Sequence, residues 1–297
     1  MKEIVVISGK GGTGKTSITA SFASFTSKKA VLADCDVDAA DLHLILKPDI
    51  KNRYDFKSGH IAQINADKCT GCGKCMELCR YEAVHEDDSR GNNNSHPVFS
   101  IDHISCEGCG VCVHFCPESA IDFPEEICGE WFNSQTRFGP MVHAKLGIAA
   151  ENSGKLVTLV RNEGKKIAQN QNLEYLIIDG SPGIGCPVIA SLTAADLALI
   201  VTEPTVSGIH DTKRIAGLTK RLNIKALICV NKWDINPEAS DAIREFSESA
   251  QIPFAGLVRY DKVFTNAQRQ ELSIPEFDDG PVTDDIRKVW ESVLKNL

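Results

Sequence analysis

The chain has no stretch approaching about eighteen consecutive apolar residues, which excludes a membrane-spanning helix. It also has no Pro/Gly/Ser-rich tract of low complexity, so long disordered linkers are not expected. Residues 1–8, Met-Lys-Glu-Ile-Val-Val-Ile-Ser, read directly as a first strand and leave no room for a secretory leader; a cytoplasmic location is expected. Basic residues are scarce in one place. Between His60 and Glu125 four Lys/Arg stand against eleven Asp/Glu, a balance of −7 that carries nearly the whole net charge of −8. Such an acidic segment is unsuited to nucleic acid, and it serves either as a dock for a basic protein partner or as a solvated surface. With 297 residues of ordinary apolar and charged content, the chain has room for one large α/β domain and a small module.

What is abundant is cysteine. Eight of twelve fall into two copies of one run, Cys69-x2-Cys72-x2-Cys75-x3-Cys79 and Cys106-x2-Cys109-x2-Cys112-x3-Cys116-Pro117. This is the bacterial-ferredoxin spacing for two [4Fe–4S] clusters, in which the fourth Cys of each run ligates the other cluster. One cluster would then take Cys69, Cys72, Cys75 and Cys116, the other Cys106, Cys109, Cys112 and Cys79. Disulfides are disfavoured by the expected compartment and the tight spacing. Structural zinc, the competing reading, commonly uses pairs of Cys-x2-4-Cys rather than sets of four. The remaining Cys35, Cys128, Cys186 and Cys229 read as small buried residues.

Short apolar runs recur at Ile4–Ile7, Ala30–Ala33, Leu156–Val160, Leu176–Ile178, Leu197–Val201, Ala226–Val230 and Phe254–Val258. Without alternation, such runs suit strands buried on both faces of a parallel sheet. Helices are expected over Thr16–Ser27, over Gly208–Leu222, and from the Asn236-Pro237 cap to about Ala250. The alternation predicts an α/β, doubly wound, mostly parallel sheet interrupted by a small α+β ferredoxin-like insert. The expected divisions are 1–58 and 126–297 for the sheet domain and 59–125 for the insert. Residues 86–95 read as an exposed loop between the halves of the insert; residues 126–151 are left without an assigned structure. In a doubly wound sheet, ligands sit beyond the carboxyl ends of the strands, which is where Ser8, Asp34, Asp179 and Asn231 fall.

Gly9-Lys10-Gly11-Gly12-Thr13-Gly14-Lys15-Thr16 satisfies G-x-x-x-x-G-K-[ST] between a strand and a helix. Its backbone N–H groups would wrap phosphates, Lys15 would reach the β- and γ-phosphates, and the Thr16 hydroxyl would ligate Mg²⁺. Gly11, Gly12, Thr13, Gly14, Lys15, Thr16 and Ser17 are therefore the candidate nucleotide-binding residues. Phosphoryl transfer needs charge neutralisation and a group that orients water, and the strand-end carboxylates offer both. Asn231-Lys232-Trp233-Asp234 imitates a guanine-reading N-K-x-D, which keeps GTP open beside ATP.

The loop with Lys10 resembles the deviant Walker-A loop of the MinD/ParA/Mrp-type P-loop ATPases, in the subgroup carrying an inserted ferredoxin domain. Gly139-Pro140-Met141, Asn152-Ser153-Gly154-Lys155-Leu156-Val157 and Gly183-Ile184-Gly185-Cys186-Pro187 resemble segments of that subgroup. The resemblance implies ATP hydrolysis with Mg²⁺, and a homodimer or a heterodimer with a related ATPase. It implies that Lys10 reaches across the dimer to the partner's nucleotide. Asp34-Cys35-Asp36 is similar to the family's switch I, which gives Asp36 the role of positioning the attacking water. Asp179-Gly180-Ser181-Pro182-Gly183 is similar to switch II, whose Asp supports Mg²⁺ through water; the resemblance thus makes Asp179 and Asp34 candidates for holding Mg²⁺ through water, and Asn231 is similar to the adenine-contacting Asn. Two departures stand out: Ser181 where relatives often have Pro, and Arg80 in place of the proline after the fourth Cys.

Four functions compete. The leading one is ATP-gated electron transfer through two [4Fe–4S] clusters to a redox partner. The second is an Mrp-type iron–sulfur or metallocluster carrier delivering to a cluster-accepting protein, although those relatives' C-terminal Cys-x-x-Cys is missing here. Cys186, seven residues beyond Asp179, matches the spacing of a bridging-cluster cysteine in the nitrogenase iron protein. The third is a MinD-like spatial organiser. The face of Asp284–Leu297 with Ile286, Val289, Trp290, Val293, Leu294 and Leu297 lacks the basic flank of a membrane anchor, so packing on the sheet is expected. The fourth, amide ligation of the cobyrinic acid diamide synthase kind, needs an ammonia-generating domain for which no residues remain.

Overall fold

A computed structural model describes residues 1–87, 97–147 and 153–297. They form two compact units, one of residues 1–54 and 129–297 and one of residues 55–128. The chain leaves the first unit within one strand and re-enters it within another.

In chain order the elements are β1 Lys2–Ser8, α1 Lys15–Phe25, β2 Ala30–Asp34, α2 Leu42–Leu46, β3 Asp49–His60, β4 Gln63–Ile64, α3 Lys74–Leu78, β5 Val84–Glu86, β6 Phe99–Ile101, α4 Val111–Phe115, β7 Ile121–Asp122, β8 Glu125–Thr136 and β9 Gly139–Leu146. They continue with α5 Ser153–Asn170, β10 Tyr175–Pro182, α6 Cys186–Leu192, β11 Leu197–Thr202, α7 Val206–Arg221, β12 Lys225–Asn231, α8 Pro237–Ser249, β13 Phe254–Val258, α9 Val263–Arg269, α10 Ile274–Phe277 and α11 Pro281–Asn296.

Nine strands form one sheet in the order β13-β12-β11-β1-β10-β2-β9-β8-β3. The pairs from β13 through to β9 are parallel. Residues of β2 and β11 are buried without exception, because helices cover both faces. Ile4 of β1 lies opposite Ile177 of β10 on one side and Leu197 of β11 on the other, so the sheet is built outward in both directions from β1. This places the carboxyl ends of β1, β2 and β10 side by side, with β12 two strands from β1.

One element departs from expectation, and one unassigned segment gains a structure. Leu156–Val160 is not a strand; it lies in α5, whose buried residues Leu156, Val157, Val160, Arg161, Gly164 and Ala168 follow helical spacing. Residues 125–146 form the antiparallel hairpin β8–β9, closed between Thr136 and Gly139. Residues 88–96 and 148–152 lie outside the described residues, and with them most of the loop expected over 86–95 and Asn152. The apolar face of α11 packs into the sheet core, with Trp290 against Phe22 at 4.8 Å between ring centroids.

In the second unit the two cysteine runs sit in matching surroundings. β4 pairs with β7 and β5 with β6, each antiparallel, and each run carries its third Cys in one short helix, α3 or α4, that ends just before the fourth. Gly73 and Gly110, at φ 71° and 71°, cap these helices in the left-handed region that L side chains avoid.

His143, on β9, is buried, with Nε2 2.9 Å from Ser134 Oγ and its ring stacked on Phe132 and His43. Burial, and secondarily the nearby His43, pushes its pKa down to about 4. Between pH 6.5 and 4 the unfolded chain therefore holds the extra proton, and stability is lost as pH falls through that window. The loss reaches about 3 kcal/mol at the acid end. His143→Asn is expected to flatten the fall in urea-unfolding free energy between pH 7 and pH 5 relative to the parent protein. An equal fall in both proteins would remove His143 as its source.

Candidate functional site

The first site is built at the carboxyl end of β1. The chain turns through Gly12 and Gly14, at φ 81° and 86°, and enters α1. A Cβ on Gly14 would meet Asn231 Nδ2 at 2.3 Å, so only glycine allows the loop to pass the end of β12. Asn231 then fastens the loop, donating from Nδ2 to the Thr13 carbonyl at 2.8 Å. The first turn of α1 carries no acidic residue, which leaves its N-terminal amides and dipole free for an anion. The cleft measures about 870 Å³ including its mouth, and Gly11–Ser17, Asp36 and Gln268 contribute to its lining.

Beneath the loop lies a cluster of charge. Lys15 is buried, with Nζ 2.8 Å from Asp179 Oδ1 and 3.4 Å from Asp36 Oδ2. Burial works to lower its pKa, but Asp179, Asp36 and Asp34 outweigh that and hold it above the ordinary lysine value. Thr19 Oγ1 donates to the same Asp179 oxygen at 3.1 Å, whereas Asp179 Oδ2 is buried without a hydrogen-bond partner. Such an orphan acceptor costs energy unless a cation or water meets it. Asp36 is held above its ordinary value by burial, with Lys15 pulling the other way.

Asp34 is engaged differently. Its two oxygens accept the backbone N–H groups of Asp36 and Leu42, each at 3.2 Å, and burial, followed by Asp179's charge, raises its pKa well above normal. Its visible work is to shape the loop that presents Asp36. The 35–36 and 179–181 segments are tied twice: Cys35 N–H donates to the Asp179 carbonyl at 2.8 Å, and Ser181 Oγ to the Cys35 carbonyl at 2.6 Å. Proline at 181 could not make the second bond, which gives that departure a structural use.

Thr16 lines the cleft, and Lys10 lies outside its lining. Lys10 Nζ is 3.2 Å from Glu203 Oε2, and Glu203 also pairs with Lys232, which donates to the Gly12 carbonyl at 3.1 Å. Sequence reasoning missed Glu203 and also Gln268, which donates to Ser17 Oγ at 3.1 Å. No spacing motif marks either. Asp234 of the N-K-x-D string accepts the backbone N–H of Tyr260 at 2.7 Å, which makes it a loop brace.

The second site lies in the unit of residues 55–128. Cys69, Cys72, Cys75 and Cys116 line one cavity of about 350 Å³ including its mouth; Cys79, Cys106, Cys109 and Cys112 line another of about 360 Å³. Each cavity thus draws three cysteines from one run and the fourth from the other. Two of the thiols receive a backbone N–H bond of the same kind, Ala83 to Cys79 Sγ at 3.4 Å and Ala120 to Cys116 Sγ at 3.3 Å. Burial, then repulsion from Cys106 and Cys109, pushes the Cys112 thiol up to about 11. Among the described residues no three Cys, His, Asp or Glu side chains converge on a point fit for a single metal ion. Gly108, at φ 60°, comes so close to the His60 carbonyl that a Cβ would stand 2.3 Å from its oxygen.

Cys35, Cys128 and Cys229 are buried, the last pushed up to about 12 by burial. Cys186 is exposed, which corrects its reading as a small buried residue: Gly185-Cys186-Pro187 starts α6 at the surface. Among the described residues no helix is long and apolar enough to cross a membrane.

Residues 4–274 match the CobQ/CobB/MinD/ParA nucleotide binding domain, CbiA. The uncharacterized protein MJ0578 of Methanocaldococcus jannaschii is 36% identical over 236 residues, 79% of this chain and 79% of its own. A putative septum site-determining protein MinD of Tupiella akineta is 26% identical over 276 residues, 90% of this chain and 70% of its own. Among solved structures, the cell division ATPase MinD of Pyrococcus furiosus has a TM-score of 0.59 at 16% identity, covering 100% of this chain and 99% of its own. The septum site-determining protein MinD of Pyrococcus horikoshii OT3, complexed with Mg-ADP, has a TM-score of 0.58 at 16% identity, with 98% and 95% covered. At such identities the structural likeness speaks for the fold, a large and mostly parallel α/β sheet.

Proposed function

The chain belongs to the CobQ/CobB/MinD/ParA nucleotide-binding family, and from that premise we propose that it is a cytoplasmic, dimeric ATPase that couples nucleotide state to electron transfer through two [4Fe–4S] clusters. The nucleotide half rests on the loop Gly9–Thr16 and the charge cluster beneath it. The Pyrococcus horikoshii relative's complex with Mg-ADP supports ATP and Mg²⁺ as ligands here. On ATP binding, Lys15 exchanges Asp36 and Asp179 for phosphate oxygens, which gives both carboxylates new work. Asp36 then orients the attacking water. Asp179, through its unpaired Oδ2, and the Thr16 hydroxyl would hold Mg²⁺, which would neutralise phosphate charge. Asp34 contributes by fixing the loop that carries Asp36. The family role of Asn231 is contact with the adenine, and here its side chain secures the loop at the Thr13 carbonyl; the engagement of Asp234 by Tyr260 favours ATP over GTP. Lys10 reaches across the dimer to the partner's phosphates.

The redox half is carried by one observation, the two four-cysteine cavities with exchanged fourth members. Four thiols spread around a cavity suit a multi-atom cluster better than a single ion such as zinc. Amide donors on Cys79 and Cys116 would stabilise anionic sulfur. Bound there, such clusters supply one-electron transfer to a redox partner. Because Cys35 and Ser181 join the 35–36 and 179–181 segments, a change at the γ-phosphate moves both as one. The cysteine unit is inserted between those segments in the chain, and this connection is the proposed route of coupling.

Anaerobically purified protein is expected to hold about eight iron atoms per chain with matching sulfide. Its reduced clusters are expected to change midpoint potential or EPR line shape when ATP and Mg²⁺ are added. Zinc in place of iron, or fewer than half that iron after reconstitution, would overturn the cluster assignment. Spectra and potentials indifferent to nucleotide would leave the clusters but remove the coupling, in favour of a cluster-carrier role.

A further inference from the structure

Glu203 lies at the junction of β11 and α7, outside every motif that marks the nucleotide loop, yet it is the counter-charge to Lys10 of that loop and to Lys232, which braces it. Its side chain is 13% exposed. One oxygen pairs with Lys232, which also holds the Gly12 carbonyl, and the other sits 3.2 Å from Lys10 Nζ. The surrounding backbone is tightly set. A Cβ on Gly9 would overlap Asp211 of α7 at 2.2 Å, and Ser8 Oγ donates to the Lys10 carbonyl at 2.9 Å. With its backbone pinned, Lys10 has one main freedom, the swing of its side chain.

We infer that Glu203 is a positioning residue that holds Lys10 on its own subunit and so sets the threshold for dimer-dependent ATP turnover. The two legs of the contact are unequal. Lys232 is the closer and more sheltered partner, 29% exposed, while Lys10 is longer-bonded and 37% exposed. Lys10 also touches Ser207 Oγ at 3.5 Å, the outer limit of a hydrogen bond. When Lys10 leaves, Glu203 keeps Lys232, so no buried carboxylate is stranded and release costs only the weaker pair. A phosphate arriving from a second copy of the chain competes for Lys10 with that one partly exposed carboxylate.

This inference rests on the proposed cross-subunit role of Lys10. The test is ATP turnover measured across a range of protein concentrations, with KM for ATP determined at each. Glu203→Gln is expected to lower the protein concentration of half-maximal turnover about 2- to 5-fold, as fits a partly exposed ion pair, with KM unchanged. The same substitution in a Lys10→Ala background is expected to change nothing. An unaltered half-maximal concentration, or a rise in KM without a concentration shift, would overturn the latch. If Lys10→Ala alone turns over ATP like the parent, the cross-subunit reading itself fails. If Lys10→Ala is inactive and Glu203→Gln resembles the parent, only the latch fails.

Discussion

Lys15→Gln is expected to lower ATP hydrolysis by at least about 100-fold, the scale lost when one preorganised charge on a transferring phosphoryl group is removed. The substitution has a second consequence, because Lys15 is the ammonium that neutralises Asp179 and Asp36. Removing it leaves two buried carboxylates facing each other with Asp34 nearby, at a cost of about 3–5 kcal/mol at neutral pH. Asp34 and Asp36, already raised by burial, lose the ammonium that holds them down, so their folded pKa values rise further above the unfolded ones. Stability is then greatest at low pH and falls as pH rises through the folded values. The variant should therefore unfold at lower urea than the parent at pH 7.5, and the gap should narrow toward pH 5. ATP turnover above about a tenth of the parent's would refute the phosphate role of Lys15. A gap in stability that is independent of pH would refute the shared charge cluster.

The second large effect separates the two ways of sorting eight cysteines. If each run served its own cluster, Cys106→Ala with Cys116→Ala would damage one cluster, and Cys69→Ala with Cys116→Ala would damage both. The observed cavities reverse this. Cys69 and Cys116 face the same space, so their joint loss is expected to leave about four of about eight iron atoms and one EPR signal. Cys106 and Cys116 line different cavities, so losing both is expected to remove nearly all the iron. Retention of half the iron in the second double variant would refute the exchange.

The sheet was legible because its strands are buried on both faces. Runs such as Ala30–Ala33 and Leu197–Val201 cannot alternate there, and they read as strands for that reason. The same rule misread Leu156–Val160, where a local apolar run hid a longer helical period that only Arg161, Gly164 and Ala168 complete. The β8–β9 hairpin gave little signal, since β8 mixes exposed and buried positions along its length. The phosphate loop was legible because its glycines serve backbone geometry, and geometry imposes spacing. Glu203, Gln268 and the Ser181 bond act through space between elements far apart in the chain, and such contacts leave no periodic trace. Cys186 was misplaced because residue type suggests burial, while its position at the start of α6 decides exposure.

The exchange of fourth cysteines also sets an order of events during synthesis. The cavity of Cys79, Cys106, Cys109 and Cys112 has its full ligand set once residue 112 has emerged, and the other follows at residue 116. Neither can be completed from the first run alone. At that moment β10, with Asp179, and β12, with Asn231, are still untranslated. Under the proposed assignment the cysteine ligands are therefore all available before the ATP site exists. Under the proposed function, a nascent chain would take up iron and sulfide free of nucleotide control, and that control would begin only as the later strands join the sheet.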